Sequence, residues 1–419
     1  MIPEIYNLKN GPRCIILSDS NAHAVVAMVM IRVGSRNENL KEWGISHALE
    51  HLVFKGTKAF PKPENISSTL DACGADYNAF TSKESTAFYV RAAAVHLPLA
   101  LRAVAQLSCA PLLRSSDWPR ERNVIIEELK MYEENPVMAI DDIIDTSAFG
   151  EKSSLGRSIG GTAKSLQGIT MRDIRSYWNT HYLNGDMTVV VAGKCTPYMV
   201  KKIVAKEFPK RNLIKSFQKM ASPEFTPRFI QKIIPGDQVH VAFSWLATGE
   251  YDHAREIWSI LSTILGGGMS SRLFLEVREK RGLAYSVSSS LETYHDSGLF
   301  VIRAGIDAAR CKEAVRVIFN VVARAANNGF SKKEIEAAKT QIAGRRALRF
   351  EDKANIATWY ATRAIWDIED TIEKSLQRLF KVSLTDVANA CAGLLTKPAC
   401  AVVGSPRAVQ EIRSLYEAL

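Results

Sequence analysis

Apolar and polar positions alternate along this chain in a pattern that occurs twice. Continuous apolar runs, each ending near a glycine or a polar turn, predict buried strands at 24–33, 88–92 and 187–193, and again at 239–247, 300–304 and 399–404. The matching landmarks are separated by 211 to 215 residues. Such a nearly constant shift predicts a duplicated domain of about 210 residues.

Helical periodicity fills the intervals between these strands in both halves. It predicts helices at 42–54, 117–134 and 171–178, and at 255–265, 331–350 and 384–394. The fold class is therefore α+β, with two homologous domains that each have an antiparallel-rich sheet and helices packed on one face. We predict a first domain at 1–208, a polar, basic and proline-marked linker at 209–227, and a second domain at 228–419.

Composition excludes several protein classes. The 419 residues are 47% hydrophobic and 23% charged, as in an ordinary globular protein and unlike a disordered, collagen-like or disulfide-framework chain. The longest apolar stretch, 88–113, is interrupted by Arg91, His96 and Arg102, so we expect no membrane span. The net charge is +10, yet no basic stripe with interleaved aromatic residues is present, and we expect no nucleic-acid partner.

Cysteine usage and the N-terminal sequence favour a cytoplasmic protein. The seven cysteines are odd in number and form no Cys-x-x-Cys pair, which is typical of reduced, mostly buried thiols. The first residues have neither a basic segment nor an apolar segment of the secretory type.

The strongest chemical signal is the string His47-Ala48-Leu49-Glu50-His51. On a helix, the two histidines lie one turn apart on the same face, where their rings can share one divalent ion. Glu50 projects from the adjacent side of that turn, as a general base beside a metal-bound water must. The string is the inverted form of the H-E-x-x-H motif, and the alternative is a polar helix surface with two unrelated histidines.

A zinc site needs a third protein ligand, and the helix predicted at 117–134 offers one. Glu121 and Glu128 are separated by two helical turns and therefore share a stripe, whereas Glu127 is rotated away from it. The alternative for a Glu-rich helix is a solvated face. Apolar Val124 and Ile125 adjoin the stripe, and a carboxylate buried there needs a cation.

These motifs, in this order, resemble the pitrilysin family of inverted-motif zinc peptidases, which includes insulysin and mitochondrial processing peptidase. The resemblance is closest to short bacterial members related to the processing-peptidase β subunit. It covers nearly the whole chain through segments 44–57, 74–81, 121–128, 155–157, 266–274 and 278–286.

The resemblance implies a role for each matching residue. His47, His51 and Glu128 would bind one zinc ion, with Glu50 as the base that deprotonates the zinc-bound water and Glu121 orienting a ligand histidine. Substrate peptide would pair with an exposed edge strand at Asn78, Ala79, Phe80 and Thr81. Arg278 and Tyr285 would contact the substrate or the oxyanion. The implied function is a zinc metalloendopeptidase that hydrolyses short unfolded peptides in an enclosed chamber.

The second half lacks the ligands of the first. The positions equivalent to His47, Glu50, His51 and Glu128 are Ser262, Leu265, Gly266 and Thr340, so we expect one zinc per chain. Longer family members have four such domains in a clamshell, and this chain supplies two. We therefore expect a homodimer, or a heterodimer with a related subunit, in which Arg278 and Tyr285 act on the partner's zinc site. The alternative is a catalytically silent scaffold or partner subunit of the same family.

Overall fold

The computed structural model describes residues 2–9, 11–209 and 222–419, which form two compact units. The first unit draws on Met1–Leu129, Ile159–Met220 and Ala347–Glu369. The second draws on Lys130–Ser158, Ala221–Arg346 and Asp370–Leu419. Each unit therefore contains a segment from the opposite half of the sequence.

Eleven strands of the described residues form two sheets, one in each unit. The strands are β1 Glu4–Asn7, β2 Arg13–Ser18, β3 Ala24–Ile31, β4 Asp76–Thr81, β5 Thr86–Ala93, β6 Met187–Gly193, β7 Phe229–Ile233, β8 Gln238–Ala247, β9 Ala284–Thr293, β10 Gly298–Asp307 and β11 Ala399–Gly404. The first sheet has the order β1-β2-β6-β3-β5-β4, and the second has the order β7-β11-β8-β10-β9.

The two sheets share one topology. Without β1, both sheets place their five strands in the same spatial order, first-fifth-second-fourth-third along the chain. In both, the first and last strands pair in parallel, β2 with β6 and β7 with β11, while the remaining pairs are antiparallel. This identity of pairing accounts for the repeat in the sequence.

Fifteen α-helices of the described residues connect and cover the strands. They are α1 Ile45–Val53, α2 Pro63–Asp71, α3 Leu97–Cys109, α4 Trp118–Glu134, α5 Pro136–Phe149, α6 Ala163–Gly168, α7 Met171–Tyr177, α8 Pro197–Glu207, α9 Arg255–Gly266, α10 Cys311–Asn328, α11 Lys332–Arg349, α12 Lys353–Ala364, α13 Ile372–Lys381, α14 Leu384–Ala392 and α15 Pro406–Glu417.

Strand β3 shows how the first sheet is buried on both faces. Successive side chains of a strand point to opposite faces, and all seven residues from Val25 to Ile31 are buried. Val25, Ala27 and Val29 belong to the core that includes residues of α1 and α3. The alternate residues point the other way, toward α12, where the Thr358 hydroxyl lies 4.0 Å from the Met28 sulfur.

Helices α5 and α12 are exchanged between the two halves of the sequence. Helix α12, from the second half, packs on β3 and β6 of the first sheet. Helix α5, from the first half, packs on β7, β8 and β11 of the second sheet. Its residues Ile140, Ile144 and Phe149 share a core cluster with alanine and valine side chains of β8, β10 and β11. Each sheet thus has several helices on one face and one exchanged helix on the other.

The predicted α+β fold with two sheets is confirmed, and the predicted elements agree with the structure to within a few residues. The prediction placed the helices on one face of each sheet. The structure differs in that α12 covers the other face of the first sheet and α5 covers the other face of the second sheet. The domain limits at 1–208 and 228–419 describe the two copies of the repeat and stay a prediction. The compact units of the structure are divided differently, because each one includes a segment from the opposite half of the sequence. Most of the predicted linker at 209–227 lies outside the described residues.

No helix in the described part of the chain combines the length and the apolar character that crossing a bilayer requires. The cytoplasmic location and the lack of a nucleic-acid partner stay predictions.

We expect an Ile144→Ala substitution to lower the free energy of unfolding by about 2–5 kcal/mol, because it leaves a cavity between α5 and the second sheet. Val137→Ala on the same helix is the matched control, since Val137 is 55% exposed and Ile144 is 2% exposed. Denaturant titration of both variants measures the difference. Equal, small effects would contradict the placement of α5 in this core.

Candidate metal centre

Helix α1 is fixed at its start by a buried carboxylate. Glu38, which is 3% exposed, accepts hydrogen bonds from the backbone N–H groups of Gly44 and Ser46, both at 2.8 Å. A negative charge at a helix N-terminus is stabilised by the unpaired N–H groups and the helix dipole. The Ser46 hydroxyl also lies 2.9 Å from the Tyr177 hydroxyl. The entry angle of the helix is therefore set from two sides.

Gly44 is required where the chain enters α1. Its φ of +96° lies in the left-handed region, and a Cβ there would come within 2.7 Å of the Gly160 carbonyl oxygen. Any other residue would meet both strain and a backbone clash. Beyond this turn, Ala48, Leu49 and Leu52 are buried in the core. His47, Glu50 and His51 are consequently left on the opposite, partly exposed side of the helix.

His47, His51 and Glu128 converge as a set of three donors. One ligand atom from each residue lies within 4.8 Å of the other two. His51 Nε2 is 3.3 Å from Glu128 Oε2, and His47 Nε2 is 3.8 Å from Glu128 Oε1. Tetrahedral zinc ligands are separated by about 3.3 Å. Two imidazoles and one carboxylate at these separations fit the donor set of a catalytic zinc ion, and this cluster is the one found among the described residues.

Helix α4 supplies Glu128 and, two turns earlier, Glu121. Its first residue, Trp118, is buried and donates from Nε1 to the Ile169 carbonyl at 2.9 Å, which anchors the start of the helix. Glu121 Oε1 lies 3.0 Å from His51 Nδ1. When His51 is a metal ligand, a ring proton on Nδ1 would donate to this carboxylate, and Nε2 would be the ligand atom. Glu121 lies where the resemblance implied an orienting carboxylate.

Glu50 lies beside the three donors and is held by the edge of the first sheet. Its Oε2 accepts a hydrogen bond from the Thr81 hydroxyl at 2.5 Å. Thr81 is the last residue of β4, which pairs with β5 at one end of the sheet. Strand β4, which includes Asn78, Ala79 and Phe80, thus has no strand partner on its second side among the described residues, and the Ala79 N–H donates to the Asn78 side-chain oxygen at 2.8 Å.

Burial and neighbouring charges separate the pKa values of these groups. Burial and the nearby His51 lower the pKa of His47 to about 4. Burial alone would lower the pKa of His51, but hydrogen bonds to Glu121 and Glu128 outweigh it and raise that pKa to about 9. Burial raises the pKa of Glu50, against the opposing hydrogen bond from Thr81. In the metal-free chain at neutral pH, His51 is therefore protonated on both ring nitrogens, whereas His47 is neutral.

Arg278 and Tyr285 lie in the second unit, whereas the zinc-ligand candidates lie in the first. The Arg278 guanidinium stacks 5.1 Å from the Phe274 ring centroid, in a π-helical turn over Phe274–Glu279. Tyr285 is 63% exposed on β9, the edge strand of the second sheet. Their predicted roles at a zinc site remain predictions.

The second unit has no metal cluster in its described residues. The Ser262 hydroxyl, at the position equivalent to His47, donates to the Ser289 carbonyl at 2.9 Å. A Cβ at Gly266, the equivalent of His51, would come within 2.2 Å of the Ser289 backbone nitrogen. This close packing leaves no room for a histidine ring there.

Sequence reasoning did not find two residues of this site. Glu38 has no motif of its own, because it lies six residues before Gly44, the residue at which a capping side chain would be expected. Lys55 lies four residues after His51, in the turn that follows α1, and its ammonium pairs with Glu121 Oε2 at 2.7 Å. Thr81 was predicted to contact substrate, and its hydrogen bond to Glu50 was not anticipated.

Comparison with known proteins matches both halves of the chain to one family. Residues 13–163 match the model described as Insulinase (Peptidase family M16), and residues 168–342 match the Peptidase M16 inactive domain. Relatives named uncharacterized zinc proteases are 31% identical in Streptomyces coelicolor and in Bacillus subtilis. The alignments cover 98% of this chain and 91% of the Streptomyces protein, and 96% of this chain and 98% of the Bacillus protein.

Solved structures show the same fold. A protease from Helicobacter pylori superposes with a TM-score of 0.86 at 20% identity, over 97% of this chain and 99% of that chain. A peptidase M16 inactive domain from Pseudomonas fluorescens superposes with a TM-score of 0.85 at 19% identity, over 97% of this chain and 98% of that chain.

We expect zinc binding to the metal-free chain to release about one proton near neutral pH, because His51 must lose its proton to become a ligand while His47 is already neutral. Between about pH 4 and pH 9, the affinity should therefore fall about tenfold for each unit of acidification. Titration calorimetry in buffers of different ionisation enthalpy measures the released protons. The His47→Ala chain gives the background, and a binding heat independent of the buffer would contradict the prediction.

Proposed function

The chain belongs to peptidase family M16, and on that premise we propose that it is a zinc-dependent endopeptidase that hydrolyses short unfolded peptides. The observation that carries the proposal is that one ligand atom each of His47, His51 and Glu128 lies within 4.8 Å of the other two. Glu50, the residue directly before His51, supplies the carboxylate for the base. The pitrilysin-like resemblance found in the sequence agrees with the family match. The names of the relatives support a zinc peptidase as the class of enzyme.

His47, His51 and Glu128 would hold the zinc ion, which supplies Lewis acidity to the attacking water and to the scissile carbonyl. Three protein ligands would leave the fourth position of a tetrahedral zinc ion for water or substrate, as a catalytic site requires. Glu121 fixes the His51 ring through Nδ1, so that Nε2 keeps its direction while substrate enters and leaves.

Glu50 acts as the general base and then as the general acid. Its carboxylate accepts a proton from the attacking water and later delivers that proton to the leaving amine. Burial raises the pKa of Glu50 from its ordinary value, which strengthens it as a proton acceptor. The hydrogen bond from Thr81 holds Oε2, so the other oxygen is available for the water.

Strand β4 is the proposed place of the substrate backbone. An extended peptide adding to the unpaired side of β4 along Asn78, Ala79 and Phe80 would gain main-chain hydrogen bonds that do not depend on its side chains. Because Thr81 ends the same strand and contacts Glu50, a peptide aligned on this edge lies beside the base.

A catalytically silent subunit of the same family is the alternative. No observation favours it, because the ligand set and the base are complete in this chain. The family model that matches the second half carries the word inactive, and it covers the half whose equivalent positions lack ligands.

We expect Glu50→Gln to lower kcat/KM for a fluorogenic peptide by about 10²–10⁴-fold while one zinc per chain is retained, because the amide cannot take the proton. Glu127→Gln is the matched control, since Glu127 is exposed on the helix that carries Glu128. Hydrolysis is measured with and without a chelator. Equal rates for wild type, Glu50→Gln and chelator-treated protein would reject the proposed function.

We also propose that the active form is a homodimer in which Arg278 and Tyr285 of one protomer serve the zinc site of its partner. The exposure of Tyr285 on an edge strand supports this arrangement, because its hydroxyl is accessible to a second copy of the chain. A hydroxyl aimed at a developing oxyanion contributes to the rate when chemistry occurs. A heterodimer with a related subunit is the other assembly that the proposal admits.

Mixing Glu50→Gln protomers with Tyr285→Phe protomers should recover about a quarter of the wild-type activity. Random pairing makes half of the dimers mixed, and each mixed dimer has one intact site of two. The control is a mixture of Glu50→Gln with His47→Ala, which must stay inactive because every zinc site in the mixture carries one of these two changes. A first mixture no more active than its parents would show that Tyr285 does not act in trans.

A further inference from the structure

We propose that Lys55 is a positioning residue of the metal site, which holds Glu121 so that Glu121 can align His51. The proposal rests on the proposed zinc-binding function, and it adds to that function a residue outside the ligand set, the base and the orienting carboxylate. Its basis is a continuous chain of contacts from the Lys55 ammonium through both oxygens of one buried carboxylate to the ring of a ligand.

The two oxygens of Glu121 have different partners. Oε2 lies 2.7 Å from Lys55 Nζ, and Oε1 lies 3.0 Å from His51 Nδ1. Because both contacts belong to one rigid carboxylate plane, an ammonium that fixes Oε2 also fixes the direction of Oε1. The hydrogen bond to His51 therefore keeps its geometry only while the carboxylate cannot rotate.

The backbone of Lys55 is itself held in place. Its N–H donates to the Leu52 carbonyl at 3.1 Å, at the end of α1. Its carbonyl accepts from the Arg114 guanidinium at 3.2 Å. Lys55 lies two residues past the end of α1, and its ammonium and the His51 ring both contact the Glu121 carboxylate. The side chain of Lys55 therefore extends toward Glu121 from a backbone that is held in place on both sides.

Burial distinguishes this ion pair from an ordinary surface pair. The Glu121 side chain is 4% exposed and that of Lys55 is 28% exposed. An exposed pair gains little because water screens it, whereas an ionised carboxylate in the interior is costly without a cation and hydrogen bonds. Removal of the ammonium would leave the Glu121 carboxylate with one side-chain partner, His51. The carboxylate could then rotate, and the His51 ring would no longer be held in one orientation.

The interaction predicts a loss of zinc affinity in the Lys55→Met chain. Loss of a partner that orients a ligand lowers metal affinity by about 10–100-fold, and methionine keeps the length of the side chain while it removes the charge. Competition with a chromophoric zinc chelator on the full-length protein measures the affinity without any assay of activity. Lys55→Arg, which keeps a cation, should retain more affinity than Lys55→Met.

Lys58→Met is the matched control, because Lys58 is exposed three residues further along the chain. It should bind zinc as the wild type does. Thermal unfolding of the metal-free variants shows whether each one is folded before zinc is added. A Lys55→Met chain that is folded and binds zinc with wild-type affinity would overturn the proposal.

A double substitution tests whether Lys55 acts through Glu121. In the Glu121→Gln background, Lys55→Met should cause no further loss of zinc affinity, since the carboxylate that it positions is absent. A second loss of the same factor would mean that Lys55 acts independently, and it would overturn the proposal. A wild-type chain that binds no stoichiometric zinc would instead reject the proposed function itself, so the two failures are distinguishable.

Discussion

The need to satisfy buried carboxylates organises the first unit around helix α1. Glu38 receives backbone N–H groups at the start of the helix, and Glu121 receives Lys55 and His51 at its end. Glu50 receives the Thr81 hydroxyl at its side. Each of these bonds is short and directional, and an interior carboxylate left without them is costly. The same requirement that stabilises the fold therefore sets the direction of the metal-binding side chains.

Local sequence patterns were sufficient for most of the secondary structure. The apolar run predicted as a strand at 187–193 is β6 Met187–Gly193, and the period at 117–134 is α4 Trp118–Glu134. Periodicity reports which side of an element is buried, but it does not report what covers that side. The exchange of α5 and α12 was out of reach for this reason, because the sheets that these helices cover are formed by distant parts of the chain.

Part of the candidate site could be predicted from local sequence patterns, and part of it could not. His47 and His51 are neighbours on one helical turn, so spacing alone brought them together, and the seven-residue interval on α4 drew attention to Glu121 and Glu128. Glu38 and Lys55 are single charged residues with no periodic partner. Their roles depend on contacts that form only in the folded chain, with the Gly44 N–H and with Glu121. A sequence without its fold offers no way to distinguish such a lysine from those that water surrounds.

The exchanged helices have a consequence for the integrity of the chain. Each sheet has one apolar face whose cover is encoded in the other half of the polypeptide, so a fragment that ends between the halves would carry an uncovered sheet and an orphan helix. Two complementary fragments would each offer what the other lacks, as protomers do in a domain-swapped pair. Covalent continuity through 209–227 makes that pairing intramolecular, and its strength then no longer depends on how much protein the cell contains.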